Sequence, residues 1–211
     1  MKNTKELLES TNYRQVINLF QKMDFTKKEI YANWLAQTYY FVCHSVRLSS
    51  LGASRCDVDD PIGKRMAAHT IEEKGHHTIA KSDLKNLDEN LENYPVFGLT
   101  KAFYESQYYK VLFEEPSSLL GQILMLEAFA VDVGPWFYET TKTSWGEKAT
   151  NFIRVHANED KIHVIKAMDA IDSLNNQQKK LVINNFYQAC EMYSAILNKI
   201  ADKAIEKKIA A

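Results

Sequence analysis

Cysteine, glycine and proline are all scarce in this chain: 211 residues contain 3 Cys, 7 Gly and 4 Pro. The cysteines, Cys43, Cys56 and Cys190, are widely separated and include no Cys-x-x-Cys pair. Neither a disulfide framework nor a cysteine-based structural zinc site is therefore expected. This usage is typical of a reducing compartment, so we expect a cytoplasmic protein.

A charge excess of either sign is also absent. The 26 basic and 27 acidic residues nearly cancel and form no long block of one sign. This balance argues against a nucleic-acid or membrane-surface partner. No apolar run approaches the roughly 20 residues that span a bilayer, and the first residues lead into an amphipathic segment rather than an apolar signal core. We therefore expect no membrane partner, and a small molecule as the ligand.

The shortage of glycine and proline leaves little punctuation, and apolar residues recur at helical spacing throughout. We predict an all-α chain that forms a single domain over residues 1–211, a compact bundle of about seven helices. The predicted helical stretches are 4–23, 26–52 with Thr26 as its cap, 61–86 with Asp60 as its cap, 99–114, 116–143 with a kink or interruption at Gly134 and Pro135, 144–174 with a bend within 151–158, and 176–208.

Two stretches of this chain carry the same arrangement of histidines and a carboxylate. Upstream the spacing is His-x-x-x-Glu-x-x-His, formed by His69, Glu73 and His76. Downstream it is His-x-x-x-Asp-x-x-His, and its members are His156, Asp160 and His163. On an α-helix these spacings bring each set onto one face, since about 100° separates neighbouring residues. Each stretch therefore predicts two imidazoles and a carboxylate that point the same way.

Glu127 adds a third element, because it lies in the apolar run Leu124–Val131 and has no polar face of its own. An ionised carboxylate buried alone costs several kcal/mol, about the scale that a cation or a hydrogen-bond network must offset. Six nitrogen and oxygen donors without a thiolate suit iron or manganese and are about what two ions need. The predicted metal ligands are Glu73, His76, Glu127, His156, Asp160 and His163.

Each signal also has an ordinary explanation. A single helical histidine is more often a surface or core residue than a ligand. The pair Glu72 and Glu73, beside Lys74, is by itself compatible with a solvated acidic turn. The metal-site hypothesis depends on the duplicated spacing and on Glu127 occurring together in one chain.

Together these residues resemble the haem-oxygenase-like di-iron oxidases and oxygenases, relatives of the thiaminase and pyrroloquinoline-quinone synthase fold. Glu73-x-x-His76 looks like the first ligand helix of that family, Glu127 like its middle carboxylate, and His156 to His163 like its last ligand helix. Some members place the first glutamate seven residues before the histidine, where this chain has His69. Glu72, Glu73 or His69 could complete the set; Glu73 is favoured because it shares the helical face of His76, and His69 is then a supporting or extra ligand.

The resemblance implies a haem-oxygenase-like fold and a non-haem iron-dependent oxidoreductase that activates O2 to oxidise a small organic substrate of the fatty-acid, amino-acid or amine type. It implies two iron ions per chain, with manganese as the alternative metal. One ion is expected to bind more weakly, because Asp160 is shorter than glutamate. An external electron donor and a homodimer are compatible with this interpretation, and no catalytic residue beyond the ligands is identified.

Two other functions fit the same pattern. One is a metal-free enzyme of the same fold, similar to a thiaminase or to pyrroloquinoline-quinone synthase, and such a hydrolase needs an activated thiol. The other is a helical protein that binds metal without catalysis. A haem oxygenase is less well matched, because its single axial histidine leaves the other imidazoles and the clustered acids without a role.

Overall fold

The computed structural model describes residues 4–210, apart from the side chains of Glu159 and of residues 205–210. The α-helices of this part are α1 Thr4–Leu8, α2 Thr11–Gln21, α3 Lys28–Val42, α4 Ser45–Ser54, α5 Pro61–Glu72, α6 His76–Asn86, α7 Gly98–Phe113, α8 Leu119–Trp145, α9 Asn151–Asp172 and α10 Asn176–Ala210. Short 3-10 helices cover Leu91–Asn93, Pro116–Ser118 and Glu147–Ala149. Residues 4–210 contain no strand, which confirms the predicted all-α class.

The helices outnumber the seven predicted, because three long predicted helices are each divided. The first is interrupted at Ser10, whose hydroxyl accepts a hydrogen bond from the backbone N–H of Tyr13 and so caps α2. The second is divided between Val42 and Ser45. The prediction that Thr26 caps it was also wrong, because the Thr26 hydroxyl donates to Asp24 instead and α3 begins at Lys28.

The predicted start of α5 is confirmed, since the Asp60 carboxylate accepts the Ile62 N–H at 2.7 Å and Pro61 is the first helical residue. The prediction that this helix continues through His76 was wrong. The chain leaves the helix after Glu72, passes through Gly75 in the left-handed region with φ of 93°, and begins α6 at His76. Glycine adopts this conformation without a Cβ penalty, which is why the helix can end here.

Two further boundaries differ from the predictions around helices α8 and α9. Helix α8 runs through Gly134 and Pro135 to Trp145 without the predicted interruption. The chain then turns at Gly146, which has φ of 79°, so that the break precedes α9 rather than bending it. Helix α9 is therefore continuous across its histidines. By length and composition, Pro116–Trp145 could cross a membrane, but 78% of its most apolar window is buried inside the protein, as in a core helix.

Helix α8 lies at the centre of the core, with α9 and α10 packed closely against it. A Cβ on Gly134 would lie 2.8 Å from the Cβ of Ala157 on α9. A Cβ on Gly121 would lie 2.3 Å from the carbonyl oxygen of Val182 on α10. The absence of a side chain at these two glycines thus sets both interhelical distances. The packing of α8 against α9 brings Glu127 close enough to Asp160 for the two carboxyl groups to interact electrostatically.

Candidate metal site

Three of the predicted ligands come together in one compact group, called here the triad: Glu73, His76 and His156. Glu73 is the residue that caps the end of α5, His76 begins α6, and His156 lies on α9. One donor atom from each lies within 4.8 Å of the other two. Within the described residues, no other group of three or more histidine, cysteine or acidic side chains is so compact. The turn at Gly75 is what places the first two members side by side.

His156 is oriented in the way that metal-binding histidines usually are. Its Nδ1 lies 2.7 Å from the carbonyl oxygen of Phe152. Because a carbonyl can only accept, Nδ1 carries the hydrogen, and the lone pair is left on Nε2. The imidazole ring also packs against the Phe152 ring at 4.0 Å and the His76 ring at 4.7 Å. A backbone carbonyl that fixes the tautomer in this way supports a ligand role for Nε2.

The beginning of α9 is itself held in place by Asp83 on α6. This fully buried carboxylate accepts the backbone N–H of Phe152 at 2.7 Å and the side-chain amide of Asn151 at 3.4 Å. Burial raises the pKa of Asp83 to about 6 in spite of these hydrogen bonds. Asp83 thereby anchors the turn of α9 from which His156 projects.

The electrostatic environment of Glu73 keeps it ionised. Its side chain is almost fully buried, and its Oε1 lies 3.6 Å from Nδ1 of His76. Burial acts to raise the pKa of Glu73, but the His76 contact and the influence of the nearby His69 and His156 rings outweigh it and lower that pKa to about 2. An ionised carboxylate beside two imidazoles is a donor set that suits a divalent transition-metal ion.

Glu127 on α8 is buried, as predicted, and is 5% exposed. Its Oε1 lies 3.5 Å from Nδ1 of His69 and 3.6 Å from Nη2 of Arg65, but neither of its oxygens accepts a hydrogen bond. Burial raises the pKa of Glu127 well above its usual range, and the negative charge of Asp160 is the second cause of this rise. A buried carboxylate without hydrogen bonds is the kind of group that a nearby metal ion would stabilise.

The remaining two predicted ligands pair with each other. Nδ1 of His163 lies 3.1 Å from Oδ1 of Asp160, and both side chains are buried on α9. The carboxylate accepts, so the hydrogen is on Nδ1 and the lone pair is on Nε2. That Nε2 lies 3.9 Å from Oε2 of Glu72. The structure thus places the six predicted ligands as the triad and an adjoining second group of Glu127, Asp160 and His163; that all six bind metal stays a prediction.

Two cations that were not predicted as part of the site, Arg65 and Lys166, lie beside the second group. Nη1 of Arg65 lies 2.7 Å from Oε2 of Glu72, and Nζ of Lys166 lies 2.7 Å from its Oε1. Nδ1 of His69 also lies 3.5 Å from Oε2 of Glu72. The pKa of Glu72 is held well below its usual range by His69 and, to a smaller extent, by Lys166 and Arg65. Arg65 could have been noticed, because it precedes His69 by four residues and Glu72 by seven and so shares their helical face.

A cavity of about 110 Å³ begins at these carboxylates and extends between the helices. One end is formed by polar side chains of the triad and of the second group, namely His69, Glu73, Glu127, His156 and Asp160. The rest is mostly aromatic and aliphatic, with Trp34, Phe41, Phe129, Phe137, Phe152 and Tyr193 in its wall. The buried hydroxyl of Thr38 also lines the cavity and makes no hydrogen bond. Such a pocket favours an apolar ligand that carries few polar groups.

The fold is shared with several solved structures. A domain of unknown function with a haem-oxygenase-like fold from Shewanella denitrificans is 17% identical, with a TM-score of 0.78 over 99% of this chain and 91% of that one. A TenA homologue from Pyrococcus furiosus is 14% identical, with a TM-score of 0.71 over 93% and 98%. Another from Pseudomonas syringae pv. tomato is 12% identical, with a TM-score of 0.67 over 94% and 88%.

These likenesses show that the chain adopts the haem-oxygenase-like fold, as the sequence predicted. Scans of the sequence against protein-family profiles and against curated proteins give no match. At such low identities the likeness extends to the fold alone, since one fold hosts many activities. The activity therefore has to be argued from the site.

Proposed function

We propose that this protein is a non-haem iron-dependent oxidase or oxygenase that uses O2 to oxidise a small, largely apolar organic substrate. The observation that carries the proposal is the triad. Two histidines and one carboxylate that converge from three segments form the ligand set typical of non-haem iron oxygenases. Iron bound there would supply the redox chemistry with O2, with open positions for O2 and substrate. Manganese is the alternative ion for the same donors.

The residues around the triad have identifiable tasks. The Phe152 carbonyl keeps Nε2 of His156 free of hydrogen, and Asp83 keeps the first turn of α9 in place. Glu73 supplies the negative charge that offsets a cation. Since Glu73 and His156 also line the cavity, a substrate bound there would lie directly against the donors. The aromatic wall excludes water from that substrate, and Thr38 offers it one hydrogen bond.

The second candidate function is a metal-free enzyme of the thiaminase type, favoured by the likeness to two TenA homologues. Such an enzyme needs a reactive thiol near its substrate. Burial raises the pKa of Cys43, of Cys56 and, to about 12, of Cys190, and none of these lines the cavity. Raised pKa values disfavour thiolates. This candidate also gives the triad no role, so the iron-dependent function is better supported.

The two functions make opposite predictions for protein that is loaded anaerobically with Fe(II) and then exposed to O2. The iron-dependent enzyme should bind iron stoichiometrically and develop a visible absorption band on exposure. The band and the bound iron should both be lost in His76→Ala and retained in His77→Ala, an adjacent histidine outside the triad. A folded wild-type protein that binds no iron would overturn the proposal.

Bound iron without any spectral change in O2 would instead favour a non-catalytic metal-binding protein. The thiaminase-like alternative is tested in the same preparations by thiamine hydrolysis in the presence of a chelator. Activity that survives chelation and is abolished by Cys43→Ser would support that alternative and contradict the iron-dependent function.

A further inference from the structure

The second group differs from the triad in its surroundings, because an arginine lies beside it. Arg65 projects from α5 with its side chain 8% exposed. Its Nη1 is fixed on Glu72 at 2.7 Å, and its Nη2 faces Oε1 of Glu127 at 3.6 Å. Neither Nε nor Nη2 of Arg65 makes a hydrogen bond. Nη2 is therefore directed at the Glu127 carboxyl group, whose oxygens also make no hydrogen bond. A fixed positive charge therefore stands beside the middle carboxylate of the predicted ligand set.

Two of the three acids here already face cations of the protein. Glu72 and Glu127 bring two carboxylates, and Arg65 and Lys166 bring two permanent cations within 3.6 Å of them. Asp160 accepts from His163, so its charge already has a hydrogen-bond partner. A second divalent ion beside Glu127 would face the guanidinium at short range in a buried place, where like charges repel strongly. The triad, by contrast, contains one carboxylate and two imidazoles and no lysine or arginine.

We infer that Arg65 takes the place of a second metal ion, so that this chain holds one ion, at Glu73, His76 and His156. This inference rests on the proposed metal-dependent function but departs from the two-ion expectation of the sequence. The guanidinium supplies positive charge beside Glu127, as the second ion would, and Glu72 fixes its position. Glu127, Asp160 and His163 then ligate no ion.

The test is the number of ions per folded chain, measured by elemental analysis after anaerobic Fe(II) loading, and by Mn(II) loading with electron paramagnetic resonance. Wild type should hold one ion and give an uncoupled Mn(II) spectrum. Arg65→Gln removes the charge and should raise the number to two, with a spectrum of coupled ions. Arg65→Lys keeps the charge and should stay at one. Arg154→Gln, which alters an exposed arginine on α9, is the matched control and should also stay at one.

Glu127→Gln gives a second arm that does not depend on the Arg65 variants folding. In a one-ion protein it leaves the number of bound ions at one, whereas in a two-ion protein it lowers the number from two. Two coupled ions in wild type, or one ion in a folded Arg65→Gln protein, would overturn the inference and leave the metal-dependent function standing. No bound ion in folded wild type would overturn both.

Discussion

Replacing His156 with alanine should separate metal binding from folding. His156 contributes one of the three donors of the triad, but its side chain is only half-buried. The direct loss of packing in the metal-free protein should therefore be about 1 kcal/mol, the usual size for a partly buried substitution. The loss of metal affinity should be at least a hundredfold, because even partners that only orient a ligand contribute about 10- to 100-fold.

These magnitudes translate into melting temperatures. Metal at about one hundred times its dissociation constant stabilises the folded state by about 2.7 kcal/mol, or about 5–10 °C for a chain of this size. A hundredfold weaker site at the same metal concentration retains about 0.4 kcal/mol, or about 1 °C. Wild type should therefore show a clear metal-dependent rise in melting temperature, and His156→Ala almost none.

The assay is differential scanning calorimetry of metal-free protein with and without added Fe(II) or Mn(II) under anaerobic conditions. His77→Ala is the control, since His77 is also half-buried and follows His76 directly, yet lies outside the triad. It should retain the full metal-dependent rise. Equal rises in wild type and His156→Ala would refute the ligand role. If metal does not raise the melting temperature of wild type and His156→Ala is only less stable, His156 has a purely structural role.

Three further predictions test the surroundings of the site. The raised pKa of Asp83 means that the free energy of unfolding of wild type falls by about 3 kcal/mol as the pH rises from about 4 to about 6. In Asp83→Asn, whose side-chain oxygen still accepts from the Phe152 N–H, the free energy of unfolding should change much less over that pH range. Gly121→Ala should cost at least about 1–3 kcal/mol in urea unfolding, because its Cβ would collide with Val182, and no loss would contradict that close approach. The pKa of Glu127 is raised above its unfolded value of about 4.5, so ionising it costs stability at neutral pH, and Glu127→Gln should raise the melting temperature of metal-free protein at pH 7.

Several features of the site could be predicted because the information is local. Glu127 is flanked by apolar residues on both sides in the sequence, and the structure buries it. His156 and His163 share a face because α9 contains no break, so helical spacing alone places them. The Asp60 cap followed by Pro61 is a signal of two adjacent residues. In each case the chemistry of neighbouring residues is enough to determine the local structure.

Other features depend on contacts between distant segments. The break after Val42 has no glycine or proline to mark it, so only packing of the folded chain explains where α3 stops. Gly75 lies at the break between α5 and α6, but the regular spacing from His69 to His76 predicts a continuous helix across it. The orientation of Arg65 depends on Glu127 from another helix, which no spacing rule within α5 could reveal.

The distribution of charge indicates how metal binding at the triad would be coupled to folding. Arg65 and Lys166 hold Glu72, and His163 holds Asp160, so these acids are compensated by the protein itself. The side chains that lower the pKa of Glu73 are imidazoles, and imidazoles that serve as metal ligands must be neutral. A metal ion at the triad would therefore supply positive charge that neutral imidazoles do not provide for Glu73. Because the ligands come from α5, α6 and α9, that ion would also join the turn at Gly75 to the first half of α9.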